Sequence, residues 1–134
     1  MSLAVFIDSN IPMYLIGKPH DLKIRAQVLL EQLVRSRRRL VTSAEVLQEI
    51  CHRYQAIRAP EFIRPCVDNF LGIIDQVYPI TQQDVQESIS ILLGYPGLSA
   101  RDSLHLALMK NLGLEEVLSF DKDLDVFAGI RRLY

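Results

Sequence analysis

The 134-residue sequence contains no tryptophan, only two cysteines and no long uninterrupted run of apolar residues. Cys51 and Cys66 are too few for a metal cage built from thiolates or for a disulfide framework. A bilayer-spanning helix needs about 18 consecutive apolar residues, and no charge-free stretch approaches that length. The composition therefore excludes a membrane-spanning protein and a disulfide-stabilised secreted module.

The start of the sequence also lacks an export signal. The first apolar segment, residues 3–7, has no basic flank, is shorter than the core of a signal peptide and is followed by Asp8. We therefore expect a cytoplasmic protein. A length of 134 residues predicts a single domain that spans residues 1–134.

No charge of one sign predominates, since 15 basic residues stand against 16 acidic ones and the formal net charge is −1. This balance excludes a protein that grips nucleic acid mainly through a large basic excess. It does not exclude a nuclease. If four carboxylates are set aside for one metal site, the rest of the molecule carries a net charge of +3.

Four of the basic residues form a short cluster, namely Arg35, Arg37, Arg38 and Arg39. Such a cluster is typical of a solvated helix C-terminus, where cations are favoured. It is equally suited to contact with the phosphates of RNA. Both interpretations stay open at this point.

Short apolar segments alternate with amphipathic helical segments along the chain. Strands are predicted at residues 3–7, 40–41, 77–80, 117–118 and 130–134, and helices at about 22–35, 43–57, 61–71, 82–93 and 100–111. This alternation predicts parallel βα units, and a parallel sheet is covered by helices on both faces. We therefore expect an α/β fold with a central parallel sheet of four to five strands.

The sequence also carries helix start signals. Asp21 is the predicted N-cap of the first helix, and the capping-box pattern of Ser or Thr followed three residues later by an acid occurs at 42–45, 81–84 and 99–102. In the helix after Thr81, the apolar spacing predicts a buried stripe formed by Val85, Ile89, Leu92 and Leu93.

Four acidic side chains follow strands or lie early in the next helix. Asp8 follows the first strand, Glu49 lies in the helix after the second, Asp102 is in a first helical turn, and Asp121 follows the strand at 117–118. In parallel α/β sheets these positions meet at one edge. Carboxylates cannot share a small volume in ionised form unless cations neutralise them, and Mg²⁺ and Mn²⁺ prefer all-oxygen sites. The pattern predicts a divalent-metal site.

Each acid also has a structural explanation. Asp102 would complete a capping box, an interpretation that spacing alone leaves as good as the metal role. Glu45 occupies the capping position of its helix, which leaves Glu49, one turn later on the same face, as the better ligand. Asp8 is the hardest to explain structurally, because an acid directly after a buried strand needs a counter-charge.

Other catalytic motifs are lacking. There is no phosphate-binding glycine loop, no nucleophile elbow around a serine and no H-E-x-x-H zinc motif. The acids that begin at Asp121 do not form an EF-hand, because Val126 stands where that loop needs glycine. His105, one turn after Asp102, is placed either to approach a bound phosphate or to pack between helices.

Four short segments around these acids share their order and spacing with a known family. They are Phe-Ile-Asp8-Ser9-Asn10, Thr42-Ser43-Ala-Glu-Val-Leu-Gln-Glu49, Arg-Asp102-Ser-Leu-His105-Leu-Ala and Leu-Ser119-Phe-Asp121-Lys-Asp123. The sequence resembles PIN-domain ribonucleases over nearly its whole length. It is most similar to the small toxin nucleases of VapBC toxin–antitoxin modules.

The resemblance implies a three-layer α/β/α sandwich and Mg²⁺- or Mn²⁺-dependent hydrolysis of RNA that leaves a 5′-phosphate and a 3′-hydroxyl. It implies catalytic and metal-binding roles for Asp8, Glu49, Asp102 and Asp121, with Asp123 as a helper, and supporting roles for Ser9, Asn10 and Ser119. One departure is Ser103, where the family usually has alanine.

Partners are also implied. The mean hydropathy of +0.14 is high for a small chain and predicts an exposed apolar patch, which suits a homodimer or a partner's amphipathic helix. By resemblance, that partner is a VapB-like antitoxin whose C-terminal segment lies across the active site.

Three other functions stay open. One is a PIN-domain nuclease that processes RNA without an antitoxin, and another is a non-catalytic binding module. The third is a phosphatase with Asp8 as an aspartyl nucleophile. That chemistry wants a second aspartate two positions later, where this chain has Asn10.

Overall fold

The computed structural model describes residues 4–134 and contains one five-stranded sheet. All of its strand pairs are parallel, and the strands are β1 (Ala4–Ile7), β2 (Arg39–Ser43), β3 (Gln76–Tyr78), β4 (Glu116–Leu118) and β5 (Arg131–Leu133). The predicted parallel sheet is confirmed. Leu3, which was included in the first predicted strand, lies outside the described residues.

Six α-helices accompany the sheet within residues 4–134: α1 (Asn10–Ile16), α2 (Asp21–Arg35), α3 (Ala44–Ala56), α4 (Ile63–Leu71), α5 (Gln82–Gly94) and α6 (Ala100–Leu112). A short 3₁₀ helix at Pro60–Phe62 precedes α4, and another at Lys122–Val126 lies between β4 and β5. Helix α1 is absent from the predicted elements, because it follows β1 almost directly and contains Pro12. Proline is tolerated in the first turn of a helix, where its missing N–H has no intrahelical partner.

The core lies on both sides of the sheet. Every residue of β1 is buried, so neither face of this central strand meets solvent. Helices α1 to α4 pack against one another, and α5 packs against α6, whose residues 105–109 are all buried. Two helical groups therefore enclose the sheet, as the predicted α/β/α sandwich requires.

Two predicted helix starts are wrong. The N-cap of α2 is His20, whose Nδ1 accepts from the Leu22 N–H at 3.0 Å, instead of Asp21. The N-cap of α3 is Ser43, which accepts from the Val46 N–H, instead of Thr42. Thr42 still belongs to β2, and its buried hydroxyl donates to the Ile7 carbonyl at 2.9 Å. A tertiary hydrogen bond therefore outweighs the local capping pattern.

The capping box of Thr81 and Asp84 is confirmed in both directions. At the start of α6, Ser99 Oγ accepts from the Asp102 N–H at 3.0 Å, which is the first half of such a box. Gly113 ends α6 with a φ of 70°, a left-handed conformation in which glycine is favoured.

The predicted buried stripe of α5 is wrong. Val85, Ile89 and Leu93 are 44%, 50% and 77% exposed, whereas Asp84 and Ser88 are buried. The buried face of α5 is partly polar, because the Asp84 carboxylate completes the capping box and also accepts from Asn111 of α6 at 2.9 Å. The apolar spacing is correct, but this stripe faces away from the core.

The strand order β3-β2-β1-β4-β5 places the sequence reversal next to β1. The chain moves from β1 to β2 on one side and returns to β4 on the other. In open parallel sheets, a crevice forms at the carboxyl ends of the strands at such a reversal. Residues that directly follow β1 and β4 therefore share one crevice. No helix among residues 4–134 is long and apolar enough to cross a membrane.

Candidate active site

The crevice beside β1 holds all four acids that the sequence analysis selected. A cavity of about 310 Å³ is lined by Asp8, Glu49, Asp102 and Asp121, together with Arg53 and other side chains. The four carboxylates come from four different elements: the end of β1, the middle of α3, the first turn of α6 and the segment after β4. The crevice therefore collects acids that are far apart in the sequence.

Asp8 is 4% exposed and is held by donors on both of its oxygens. Its Oδ1 accepts from the Ser9 N–H at 2.7 Å, and its Oδ2 accepts from the Ser119 hydroxyl at 2.6 Å. Asn10 Nδ2 lies 3.4 Å from the same Oδ2 and 3.2 Å from Ser119 Oγ. These bonds satisfy a buried carboxylate before any cation arrives, and they fix its orientation.

Ser119 and Asn10 also link Asp8 to Asp121. Ser119 Oγ accepts from the Asp121 N–H at 3.0 Å, and Asn10 Oδ1 accepts from the Phe120 N–H at 3.2 Å. These two side chains thereby tie the end of β4 to the end of β1. Ser9 contributes its backbone N–H to Asp8, and its buried side-chain hydroxyl helps to lower the pKa of Glu49.

Glu49 is held by two basic side chains of α6. Its Oε1 lies 3.2 Å from His105 Nε2, and its Oε2 lies 4.0 Å from a guanidinium nitrogen of Arg101. Arg101 also donates to Glu45 Oε1 at 3.2 Å. Glu45 is thus occupied by an ion pair, and Glu49 is the acid of α3 that faces the crevice.

The contact between His105 and Glu49 shifts both pKa values. Burial acts to raise the pKa of Glu49, but the hydrogen bond and charge of His105, together with Ser9 and Arg101, leave that pKa below its ordinary value. Burial likewise acts to lower the pKa of His105, and the carboxylates of Glu49 and Asp8 leave it raised. His105 is only 2% exposed, so it contacts Glu49 and Asp8 from the buried side of the crevice.

The other acids of the site have much less support. Asp102, Asp121 and Asp123 have carboxylate oxygens within 4.8 Å of one another. Asp121 Oδ1 accepts from the Asp123 N–H at 2.9 Å, and Asp123 is exposed. We call Asp8 and Glu49 the inner pair, and Asp102, Asp121 and Asp123 the outer trio.

The acids of the site repel one another, and this repulsion affects the pKa of Asp102. Burial and the charges of Asp121 and Asp8 raise the pKa of Asp102 to about 6, and the Ser99 hydroxyl and His105 only partly oppose this. A cation in the crevice would stabilise the ionised form of Asp102, because it would offset this repulsion.

The donor set fits a divalent metal ion. Asp8, Glu49, Asp102 and Asp121 line one cavity, and Asp123 lies beside it. Asp8, Glu49 and His105 have candidate ligand atoms within 4.8 Å of one another, and so do the members of the outer trio. Oxygen-rich sites with several carboxylates suit hard divalent cations. The site is thus a cluster compatible with a divalent metal.

Comparisons with known proteins agree with this geometry. The family model for the PIN domain matches residues 5–130. VapC ribonuclease Mb1869c of Mycobacterium bovis is 50% identical over 96% of this chain and 98% of its own length. This chain belongs to the PIN-domain family.

Solved structures show the same fold. The structure of VapC20 of Mycobacterium tuberculosis, described as a Sarcin-Ricin loop cleaving toxin, superposes with a TM-score of 0.76 at 17% identity over 94% of this chain and 96% of that one. A toxin–antitoxin complex from Klebsiella pneumoniae gives a TM-score of 0.66 at 18% identity over 95% of both chains. The predicted PIN-like sandwich is confirmed by these matches.

In this PIN domain, the arginine cluster lies at the amino ends of the strands, opposite the end that holds the acidic crevice. Arg39 begins β2 and pairs in register with Ala4, whereas Asp8 follows the far end of β1. Arg38 forms an ion pair with Glu116 at the start of β4, and Arg39 donates to Gln76 at 2.8 Å. The cluster of Arg35, Arg37, Arg38 and Arg39 does not line the acidic crevice, and its contact with RNA stays a prediction.

Several side chains in the crevice of this PIN domain are not among the predicted site residues. Arg53 and Tyr14 both line the cavity, and Arg101 touches Glu49. Arg53 could have been found, because it lies four residues after Glu49 on the same face of α3. Tyr14 carried no signal, since α1 itself was not predicted. Ser103, the departure from the family pattern, is buried and donates to the Ser99 carbonyl at 2.9 Å.

Proposed function

We propose that this chain is a metal-dependent endoribonuclease and the toxin of a VapBC toxin–antitoxin module. The observation that carries the proposal is the convergence of Asp8, Glu49, Asp102 and Asp121 on one crevice, where the pKa of Asp102 is raised to about 6. Such a cluster costs folding free energy unless a cation binds, which is expected of a site built for function. The 50% identity to a VapC ribonuclease across the chain supports the same activity.

The metal that we propose is Mg²⁺ or Mn²⁺, held by Asp8, Glu49, Asp102 and Asp121 with help from Asp123. Both ions prefer carboxylate and water oxygens. When bound, such an ion supplies a water of lowered pKa and charge neutralisation for the phosphate.

The residues of the chain itself organise this chemistry. Ser9, Asn10 and Ser119 hold Asp8 in one orientation, while His105 and Arg101 hold Glu49. Hydrolysis forms a bond from a water oxygen to phosphorus and releases the 3′ oxygen with a proton. The products are a 5′-phosphate and a 3′-hydroxyl, and no covalent enzyme intermediate forms.

A gel-based cleavage assay tests the proposal. We expect the purified chain to cut single-stranded RNA with Mg²⁺ or Mn²⁺ and to be inactive in excess EDTA. Sequencing of the product ends should show 5′-phosphates. Full activity in EDTA would remove the metal-dependent mechanism, and the absence of cleavage of any RNA with metal would favour a binding module.

The antitoxin is the second part of the proposal. One of the similar solved structures is described as a toxin–antitoxin complex, and the match covers 95% of this chain. We propose a VapB-like partner that shields the acidic crevice in the cytoplasm. Expression of the chain alone should arrest growth, and co-expression of its small neighbouring gene should relieve the arrest. Harmless expression without such a gene would favour an RNA-processing nuclease.

A homodimer is the third part of the proposal. Val85, Ile89 and Leu93 form an exposed apolar stripe on α5, and we propose that a second copy of this chain covers it. Light scattering after gel filtration tests this. Ile89→Glu should give monomers, whereas Gln83→Glu, elsewhere on the same helix, should leave the dimer intact. A wild-type monomer at all concentrations would contradict the dimer.

A further inference from the structure

A second cavity adjoins the acidic crevice. It has a volume of about 380 Å³ and lies between the end of α1, the loop before α2 and the last turn of α3. Tyr14, Lys18, His20, Arg53 and Tyr54 contribute to its walls. We call it the Tyr14 pocket. Its volume falls within the range of about 300–1,000 Å³ that small-molecule sites occupy.

The Tyr14 pocket and the acidic crevice are continuous. Both are lined by Asn10, Tyr14 and Arg53. Arg53 lies one helical turn after Glu49 on α3, which is about 6 Å along the helix axis. A polymer whose phosphate lies among the acids therefore reaches the Tyr14 pocket with the adjacent unit of its chain.

The walls of the pocket suit a flat aromatic group. The Tyr14 ring lies 5.3 Å from the His20 ring and 5.8 Å from the Phe120 ring, measured between centroids. The ring of Tyr54 stacks on Phe62 at 5.7 Å with an angle of 26°. These neighbours hold the tyrosines in place before a ligand binds, and preorganised rings lose little entropy when they stack on a base.

The charge around the pocket suits a phosphate backbone. Lys18 and Arg53 are exposed, and neither forms an ion pair within residues 4–134. By contrast, Arg38 and Arg132 are engaged with Glu116 and Asp125. Two cations without acidic partners beside a cluster of acids mark the place where a polyanion makes favourable contacts.

We propose that the Tyr14 pocket binds one unpaired nucleobase of the RNA, adjacent to the scissile phosphate, while Arg53 contacts the neighbouring backbone phosphate. This inference rests on the proposed ribonuclease function. A base within a double helix is stacked between its neighbours and cannot enter the pocket, so the pocket selects single-stranded segments. An apolar peptide segment would use the rings but leave both cations without a counter-charge.

The experiment uses the full chain and short single-stranded RNAs with Mn²⁺. The cleaved bond is first mapped on a defined RNA, and an abasic nucleotide is then placed at each flanking position in turn. Stacking on one aromatic ring predicts that an abasic site on one side of the bond lowers kcat/KM by about tenfold, mainly through KM. An abasic site three nucleotides away should have little effect.

Variants assign the effect to the pocket. Tyr14→Ala should lower kcat/KM on intact RNA by the same factor and show no additional loss on the abasic RNA, whereas Tyr14→Phe keeps the preference for the base. Tyr95→Ala is the matched control, because Tyr95 is also partly buried and contacts Phe127 at 5.5 Å, yet it lines neither cavity.

Arg53→Ala gives a readout that does not depend on the fold of α1. With Ca²⁺ in place of Mn²⁺, Arg53→Ala should reduce the slope of log RNA affinity against log salt concentration by about one counterion. Arg64 lies outside both cavities, so Arg64→Ala should leave this slope unchanged.

Each alternative outcome overturns the inference in a recognisable way. Equal cleavage of intact and abasic RNAs removes the Tyr14 pocket but leaves the ribonuclease in place. If Tyr14→Ala weakens capture of the antitoxin and not of RNA, the pocket belongs to the protein partner. If no RNA is cleaved, the proposed function fails and this inference fails with it.

Discussion

The two halves of the acidic crevice differ in how their charge is stabilised within the protein. Asp8 is buried and Glu49 is half-buried, and both already have donors, from Ser9, Ser119 and His105. The outer trio is half-buried or exposed, and burial and acidic neighbours raise the pKa of Asp102 to about 6. The fold therefore stabilises the charge of one half of the site with its own donors and leaves repulsion in the other half uncompensated.

The largest expected effect comes from neutralising one acid in each half. Asp8→Asn and Asp102→Asn should each reduce RNA cleavage by at least about a hundredfold, because each removes a charged oxygen ligand. Their metal-free stabilities should move in opposite directions. Asp8→Asn loses accepted hydrogen bonds and should destabilise the fold by about 1–3 kcal/mol, while Asp102→Asn relieves repulsion.

Denaturation in EDTA, together with cleavage rates in Mn²⁺, measures both quantities for each variant. Destabilisation of the same size in both variants would remove the distinction between the halves. Glu61→Gln, at an exposed position that does not line the crevice, is a control for the loss of one negative charge.

The next effect is stabilisation by metal. A cation that binds only the folded state should stabilise the wild type by about 2.7 kcal/mol at a concentration one hundred times its Kd. Asp102→Asn should lose most of this gain, because it removes a ligand and the repulsion that the cation relieves. Thermal melting with increasing Mn²⁺ checks the prediction, and a melting temperature indifferent to millimolar Mn²⁺ would contradict a shared site.

The stability of the fold should also depend on pH through Asp102 and Glu49. The pKa of Asp102 is about 6 in the folded protein, against an ordinary value of 3.8. The folded state therefore binds the extra proton more tightly, and this stabilisation is complete below pH 3.8 and lost as the pH rises to about 6. Glu49 has a lowered pKa and acts in the opposite direction at acid pH.

The difference between Asp102→Asn and the wild type isolates Asp102. In EDTA, the variant should gain stability over the wild type as the pH rises from 4 to 7, with little difference at the lower end. A difference that does not change with pH would show that Asp102 titrates normally.

The smallest effect is expected at Asp123. Its carboxylate is exposed and stands at the outside of the trio, so Asp123→Asn should reduce cleavage by about tenfold or less and leave metal-free stability nearly unchanged. A loss as large as that of Asp102→Asn, measured in the same assay, would place Asp123 among the principal ligands.

Much of the fold and of the candidate site could be predicted from local patterns. The strands at 117–118 and 40–41 lie within β4 and β2, and Gly113 ends α6. These features follow from hydrophobic periodicity and backbone preference, which act over a few residues. The four acids were found because positions after parallel strands meet at one edge of a sheet, whatever the exact packing.

Local sequence patterns suffice to predict the alternation of strands and helices, the parallel sheet and the set of acids at the carboxyl ends of its strands. The buried face of α5 depends instead on tertiary contacts, because Asn111 reaches Asp84 from another helix. The contact of His105 with Glu49 and the shared pocket of Tyr14 and Arg53 likewise depend on packing. Each of these depends on contacts between residues far apart in the chain, which local spacing does not encode.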